Sequence, residues 1–158
     1  MTMTTTAAAT GTQVYQMYIN APQDKVWEAI TTPEIVATYF HGAQIEGTYE
    51  PGTRIRTSSP DGTQEWGDNA VLEADPPRKL VHTWRSLYDP GMAAEPESRV
   101  TWEIEALPGG YSRLTLIHDK LEAAPKTAAS VKGWAYFLSS LKSVLETGSP
   151  LPPLPSDS

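Results

Sequence analysis

Residues 128–146, with the sequence AASVKGWAYFLSSLKSVLE, decide the fold of this chain. The large apolar residues of this stretch recur every three or four positions, which places them on one face of a helix. They are Val131, Trp134, Leu138, Leu141 and Leu145, whereas Lys132, Ser139, Ser140 and Lys142 fall largely elsewhere. It is the only long helical pattern in the chain, and it would give about 28 Å of helix. Such a helix needs a sheet against which to bury its apolar face.

Most of the chain before this helix is predicted to form strands, because short runs of β-branched and aromatic residues alternate with Pro and Gly turn signals. The predicted strands cover residues 13–20, 43–46, 54–58, 65–74, 79–85, 99–107 and 111–118. Two short helices are expected to begin near Pro22 and Pro33, and residues 86–97 are predicted to form an irregular rim loop. The sequence therefore predicts an α+β fold in which a curved antiparallel sheet of about six to seven strands wraps around the long C-terminal helix.

The composition is typical of one globular domain and excludes several kinds of site. We predict a disordered leader over residues 1–12, a single domain over 13–148 and a Pro-rich disordered tail over 149–158. A net charge of −7 disfavours nucleic acid as a partner, and no apolar run approaches the roughly 20 residues of a membrane span. The absence of cysteine excludes disulfides and thiolate zinc sites. No secretory signal is visible, so a cytoplasmic location is expected.

Several motifs occur in an order that resembles a known family. They are AP-x-x-K-VW-x-AIT-x-PE at residues 21–34, YFHG at 39–42, VLEADPPRKLVHTW at 71–84, SRVTWEIE at 98–105, RLTLIH at 113–118 and GW-x-x-FLSSLKSVLE at 133–146. With these motifs the chain resembles the SRPBCC or START-like superfamily, and within it the AHSA1 family, named after the activator of Hsp90 ATPase. The resemblance implies a helix-grip fold. Members of the superfamily bind lipids, hormones or polyketides, and some catalyse cyclisation or hydrolysis.

Aromatic residues on predicted inward faces give the strongest functional signal. Large rings with a polar handle suit a pocket that holds a flat or hydrophobic ligand, although each of them is also an ordinary core residue. Trp27 is assigned to the core, and Trp66 is left open. With two histidines that share these faces, the predicted ligand-binding residues are Tyr39, Phe40, His82, Trp84, Trp102, His118, Trp134 and Phe137.

Catalytic and metal sites have weaker support in the sequence. His82 and His118 could enter one cavity and act there as acid or base near neutral pH, but a histidine bonded to backbone or solvent is the simpler interpretation. A histidine metal site would need a third ligand such as His41, which no spacing supplies. Glu103 and Glu105 share the strand face opposite the apolar one and are expected to face water.

Three functions follow from these observations. The first is a small cytoplasmic protein that binds a hydrophobic or aromatic small molecule between sheet and helix, without a cofactor. The second is a cyclase- or hydrolase-type enzyme that uses a cavity histidine; the sequence leaves this open and favours binding over catalysis. The third is an Hsp90-type co-chaperone, which the sequence disfavours because it shows no additional domain. A homodimer is compatible with the sequence, although no stretch signals one.

Overall fold

Eight strands form one antiparallel sheet in the order β1-β2-β8-β7-β6-β5-β4-β3. The structure is a computed structural model that describes residues 4–9, as backbone only, and residues 11–154. The strands are β1 (Thr4–Ala9), β2 (Thr12–Ile19), β3 (Gln44–Glu46), β4 (Arg54–Ser58), β5 (Glu65–Asp75), β6 (Lys79–Trp84), β7 (Ser98–Leu107) and β8 (Tyr111–Asp119). All seven strands predicted from turn signals and alternation are present, and the predicted α+β helix-grip architecture is confirmed.

The helices are α1 (Gln23–Thr31), α2 (Pro33–Tyr39), α3 (Pro90–Ala93), α4 (Pro125–Ser130) and α5 (Trp134–Thr147). The two short helices predicted near Pro22 and Pro33 and the C-terminal helix are present, together with two further short helices, α3 and α4. The one-turn helix α3 lies in the predicted rim loop, where the Asp89 side chain accepts a hydrogen bond from the Met92 main chain. Gly148 ends α5 in the left-handed conformation that glycine adopts without steric cost. No helix among the described residues is long and apolar enough to cross a bilayer.

The core forms where α5 packs against the inner face of the sheet. Leu138 and Leu141 of α5 are almost fully buried, as are Leu114 and Leu116 of β8. Strand alternation places Val100, Trp102 and Ile104 inside, and the glutamates between them, Glu103 and Glu105, are exposed as predicted. The apolar face of the long helix thus belongs to the same core as the inner face of the sheet.

Helix α5 is shorter, and buried on more sides, than its sequence pattern predicts. The stretch that begins at Ala128 is broken by a 3₁₀ turn at Val131–Gly133, so α4 and α5 are separate segments. Gly133 is a weak helix former, which explains why the break falls there. Ser140 and Lys142, predicted to lie largely off the apolar stripe, are buried. The Leu151 amide donates to Ser140 Oγ over 3.0 Å, and Glu146 forms an ion pair with Lys142.

Both chain ends differ from the predicted disorder where the structure describes them. Thr4–Ala9, within the predicted leader, pairs with β2 as an edge strand, and Thr12 begins β2. Backbone pairing needs no apolar side chains, so a Thr- and Ala-rich run can still supply a strand. In the tail, the Tyr136 hydroxyl donates to the Pro152 carbonyl over 2.6 Å. Residues 1–3, 10 and 155–158 of the predicted leader and tail lie outside the described residues.

The sheet is irregular between β5 and β6. A bulge shifts their register between Val71 and Glu73. Next to it, side chains take the place of the main-chain ladder: the Ala70 amide donates to Thr83 Oγ1 over 2.8 Å, and the Arg85 amide donates to Asn69 Oδ1 over 2.9 Å. Bulges bend a strand and end regular pairing. This end of the sheet therefore departs from the close backbone pairing of the rest.

Candidate functional site

A cavity of about 480 Å³ lies between the start of α5 and the irregular end of the sheet. Its volume falls within the range of about 300–1,000 Å³ that is usual for small-molecule sites. The lining residues are Phe40, His41, Thr57, Gln64, Trp66, Gly67, Asn69, Trp84, Arg85, Ser86, Tyr88, Ser130, Val131, Gly133, Trp134 and Phe137. They come from the end of α2, strands β4 to β6 and the junction between α4 and α5.

Aromatic rings form the apolar wall of the cavity. Trp134 and Phe137 are three residues apart on α5 and so face the same side of the helix. The ring centroid of Phe137 lies 4.8 Å from that of Phe40, and the Trp134 centroid lies 5.2 Å from that of Trp84. The imidazole of His41 stands edge-on to Phe137 at 5.1 Å. Such a surface suits a flat apolar molecule.

The polar groups of the cavity lie where the pairing of β5 with the chain after β6 becomes irregular. Asn69 and Ser86 are buried, and Arg85 is exposed at the rim. The Nε1 of Trp84 is buried and has no hydrogen-bond partner among the described residues. A buried donor without an acceptor is costly. The cavity therefore combines an apolar wall with a few polar side chains, which is the usual composition of a small-molecule site.

The rim loop is tied to α4 by two sets of hydrogen bonds. The hydroxyls of Tyr88 and Ser130 lie 2.9 Å apart, and both residues line the cavity. Further along the loop, the Glu95 carboxylate accepts hydrogen bonds from the Lys126 and Thr127 amides, each over 2.9 Å. These bonds lower the pKa of Glu95 and outweigh its desolvation. The loop is thus held across one side of the cavity.

His82 lies in the core, where it bonds to an indole. Trp102 Nε1 donates to His82 Nε2 over 3.0 Å, and His82 Nδ1 lies 2.8 Å from the Thr83 carbonyl. Because an indole nitrogen can only donate and a carbonyl can only accept, the proton of this imidazole is on Nδ1. Both ring nitrogens are therefore satisfied within the protein.

His118 is bonded in the opposite sense. Trp134 Nε1 donates to His118 Nδ1 over 3.0 Å, so the proton is on Nε2, which donates to Ser98 Oγ over 2.7 Å. A serine and a histidine this close could suggest a nucleophile and its base. In such a pair, however, the imidazole must accept the hydroxyl proton. Here the imidazole donates to the serine, and the pair is buried, so the geometry is that of a structural bond.

Burial keeps both imidazoles neutral. Desolvation lowers the pKa of His82 from 6.5 to about 4, against the opposing effect of the Thr83 carbonyl. Desolvation, with a smaller contribution from the nearby His82, lowers the pKa of His118 to about 3. A base that is protonated only at such low pH is poorly matched to proton transfer near neutrality.

The predicted ligand-binding residues divide into two groups of four. Phe40, Trp84, Trp134 and Phe137 line the cavity. The others, Tyr39, His82, Trp102 and His118, are buried and lie outside its lining. Each of these four has a hydrogen-bond partner in the protein; the Tyr39 hydroxyl, for example, donates to the Ala29 carbonyl over 2.9 Å. His82 and His118 are therefore not placed to act as an acid or base on a molecule in the cavity.

Sequence reasoning missed several lining residues, among them His41, Asn69, Arg85 and Tyr88. His41 follows α2 with a φ of 56°, and Arg85 and Tyr88 lie just beyond the last residue of β6. Loop and strand-end residues carry no periodic signal. Trp66, which the sequence left open, is a lining residue. The one available signal was the rim loop itself, because binding residues often lie on loops.

Charged groups elsewhere form structural pairs. Arg54 Nε lies 2.7 Å from Asp68 Oδ1 across β4 and β5. Among the described residues, no group of three His, Asp or Glu side chains could hold a metal ion.

The chain is similar to known proteins over most of its length. The family model described as "Activator of Hsp90 ATPase homolog 1-like protein" matches residues 20–146. No curated protein matches the chain in sequence.

Solved structures share its fold. CalU16 from Micromonospora echinospora is 21% identical with a TM-score of 0.70, over 96% of this chain and 85% of that one. DynU16, described as a protein in the dynemicin biosynthetic locus, is 27% identical with a TM-score of 0.71, over 89% of this chain but only 49% of that one. PFC0360w, an HSP90 activator from Plasmodium falciparum, is 18% identical with a TM-score of 0.69, over 85% and 96%.

Proposed function

The chain belongs to the family of activator of Hsp90 ATPase homolog 1-like proteins, and we propose that within this family it binds a hydrophobic or aromatic small molecule in the cavity beside α5. The observation that carries the proposal is the wall built from Phe40, Phe137, Trp84 and Trp134, with a few polar side chains in the same lining. The rings would cover the faces of a flat ligand, and the polar side chains would orient it.

The similarity to DynU16 agrees with this proposal. A protein encoded in a biosynthetic locus is in a setting where small molecules are handled, and DynU16 is 27% identical to this chain. The similarity to the HSP90 activator, at 18% identity, supports the fold alone. We therefore propose binding of a small molecule rather than a co-chaperone function. A cytoplasmic location is part of the proposal.

The test is a ligand screen with two variants at one position. Gly133 lines the cavity in a helical conformation, and a Cβ added there would meet only the Phe137 ring, at 3.6 Å. Gly133→Ala should therefore leave the cavity open, whereas Gly133→Leu should obstruct the part of it beside the Phe137 ring without backbone strain. The wild-type protein and both variants are screened against hydrophobic and aromatic metabolites by thermal shift, and hits are checked by native mass spectrometry.

We expect compounds that stabilise the wild type and Gly133→Ala but not Gly133→Leu. Binding at a concentration 100-fold above Kd would add about 2.7 kcal/mol to the free energy of unfolding. No stabilising compound in a broad library, or equal binding by the leucine variant, would contradict the proposal.

A further inference from the structure

The charges around the cavity differ from those of the chain as a whole. The protein carries 19 acidic residues against 12 Lys and Arg, a net charge of −7. None of the acidic residues is among those that line the cavity, and Arg85 is the one lining residue with a permanent charge. A cavity in an acidic protein whose lining contains an arginine and no carboxylate is suited to a negative group.

Arg85 has no carboxylate partner. Of the other five arginines, four form ion pairs with a neighbouring acid and only Arg56 shows none among the described residues; the pairs are Arg54 with Asp68, Arg78 with Asp75, Arg99 with Asp119 and Arg113 with Glu105. Among the described residues, no carboxylate lies within 4.0 Å of the Arg85 guanidinium, which donates one hydrogen bond, to the Ala93 carbonyl over 3.3 Å. An arginine fork can bind a carboxylate, sulfonate or phosphate through two parallel N–H bonds.

The main chain of Arg85 is held in place. Its amide donates to Asn69 Oδ1 over 2.9 Å, and its carbonyl accepts from the Asp68 amide. Because the Asn69 oxygen is used in this bond, its amide nitrogen is left as a donor on a lining residue. Two kinds of donor, an amide and a guanidinium, therefore belong to neighbouring lining residues, and the lining offers no carboxylate as their acceptor.

From this arrangement we infer that the ligand is an aromatic or apolar acid whose flat body packs against the rings of Trp84 and Phe137 and whose anionic group pairs with Arg85. The inference rests on the proposed function, because it names the class of molecule that the same cavity takes. The aromatic wall without Arg85 would accept any apolar molecule of suitable size. Arg85 adds a preference for molecules that carry one negative charge at the edge of the rings.

The test compares two fluorescent probes that share one ring system. Anilinonaphthalene sulfonate is an aromatic anion, and phenylnaphthylamine has the same rings without the sulfonate. Both are titrated against the wild type, Arg85→Gln and a control, Lys132→Gln. Lys132 is exposed and lies between the lining residues Val131 and Gly133, but it does not line the cavity itself.

Arg85→Gln should weaken binding of the sulfonate about tenfold, which corresponds to the loss of one charge-assisted pair. The same variant should leave the affinity for phenylnaphthylamine nearly unchanged, and Lys132→Gln should leave both affinities nearly unchanged. Added salt should weaken binding of the sulfonate alone. Thermal unfolding of each variant verifies that it is folded.

The outcomes separate this inference from the proposed function. If the neutral probe binds in the cavity and Arg85→Gln affects the sulfonate no more than Lys132→Gln does, the acidic ligand class is overturned and the proposed function stands. If neither probe binds the wild type, and the metabolite screen also finds no ligand, both fail.

Discussion

The indole Nε1 of Trp134 donates a hydrogen bond to Nδ1 of His118 over 3.0 Å, while the same residue lines the cavity. Trp134 is thus part of the cavity wall and is also hydrogen-bonded to a buried histidine of the core. The His118 imidazole is completely buried, so its Nδ1 has no access to water as a substitute donor.

Replacement of this indole by a phenyl ring should destabilise the protein more than the same change at Trp84. Trp134→Phe leaves the buried Nδ1 of His118 without a donor, a loss of about 1–3 kcal/mol in addition to the loss of packing. Trp84→Phe removes an Nε1 that has no partner in the described chain. Urea unfolding of both variants measures the difference, and equal losses would show that the bond to His118 contributes nothing.

Stability should fall as the pH decreases below neutrality. The unfolded chain binds protons at both histidines near pH 6.5, whereas the folded protein binds them only near 4 at His82 and 3 at His118. Acid therefore favours the unfolded state, and each histidine contributes a slope of up to about 1.4 kcal/mol per pH unit. The stability that they provide is fully present above pH 6.5 and is lost as the pH falls toward 4 for His82 and toward 3 for His118.

The contribution of each histidine to the slope of unfolding free energy against pH can be measured with a single substitution. In His82→Gln, the side-chain amide can still accept from Trp102 and donate to Thr83, but it does not titrate in this range. The slope of unfolding free energy between pH 6.5 and about 5, where most carboxylates stay ionised, should drop by about half. A slope that is unchanged would mean that His82 is protonated normally in the folded state.

Lys142 is buried on α5 and should depend on Glu146 for its charge partner. Glu146 also accepts a hydrogen bond from the Asn20 amide over 2.7 Å, and these bonds lower its pKa despite desolvation. Glu146→Gln would leave a buried ammonium without its carboxylate, at a cost of about 1–3 kcal/mol. Lys142→Met should cost less, because it removes the buried charge and keeps the packing. Denaturant unfolding tests the order, and a larger loss in Lys142→Met would refute it.

The hydroxyl bond between Tyr88 and Ser130 should control how fast a ligand enters and leaves. Tyr88→Phe removes the bond but keeps the ring at the rim. We expect faster association and faster dissociation of a fluorescent probe, with a change of Kd below about tenfold, because the bond is not itself a ligand contact. Stopped-flow fluorescence measures both rates. Ser130→Ala should give the same result, and unchanged rates in both variants would mean that the loop does not limit access.

The sequence predicted the fold well because its signals are local and periodic. The alternation in β7 and β8 and the apolar stripe of α5 each identify an element and its buried face. Strand β1 was not predicted, because it pairs with β2 through its backbone and its Thr and Ala side chains show no strand pattern. The break at Gly133 was hidden within an otherwise continuous apolar stripe.

The site was predicted only in part, for a different physical reason. An inward-facing histidine has the same sequence pattern whether it reaches a cavity or bonds to a neighbouring indole. The partners of His82 and His118, Trp102 and Trp134, come from other strands or from α5, and pairings between elements are not visible in a single sequence. Arg85 lies just beyond β6, where periodicity has ended. The aromatic residues of the cavity wall were therefore predicted from the sequence, whereas the polar residues at its rim were not.

The opposed protonation of the two core imidazoles gives this protein an internal spectroscopic reporter. His82 carries its proton on Nδ1 and His118 on Nε2, so their ring nitrogens should give distinct patterns of nitrogen chemical shifts. A molecule that packs against the Trp134 ring would perturb the His118 resonances, whereas those of His82, which bonds to Trp102, would change less. Occupancy of the cavity could then be followed by nuclear magnetic resonance without any label on the ligand.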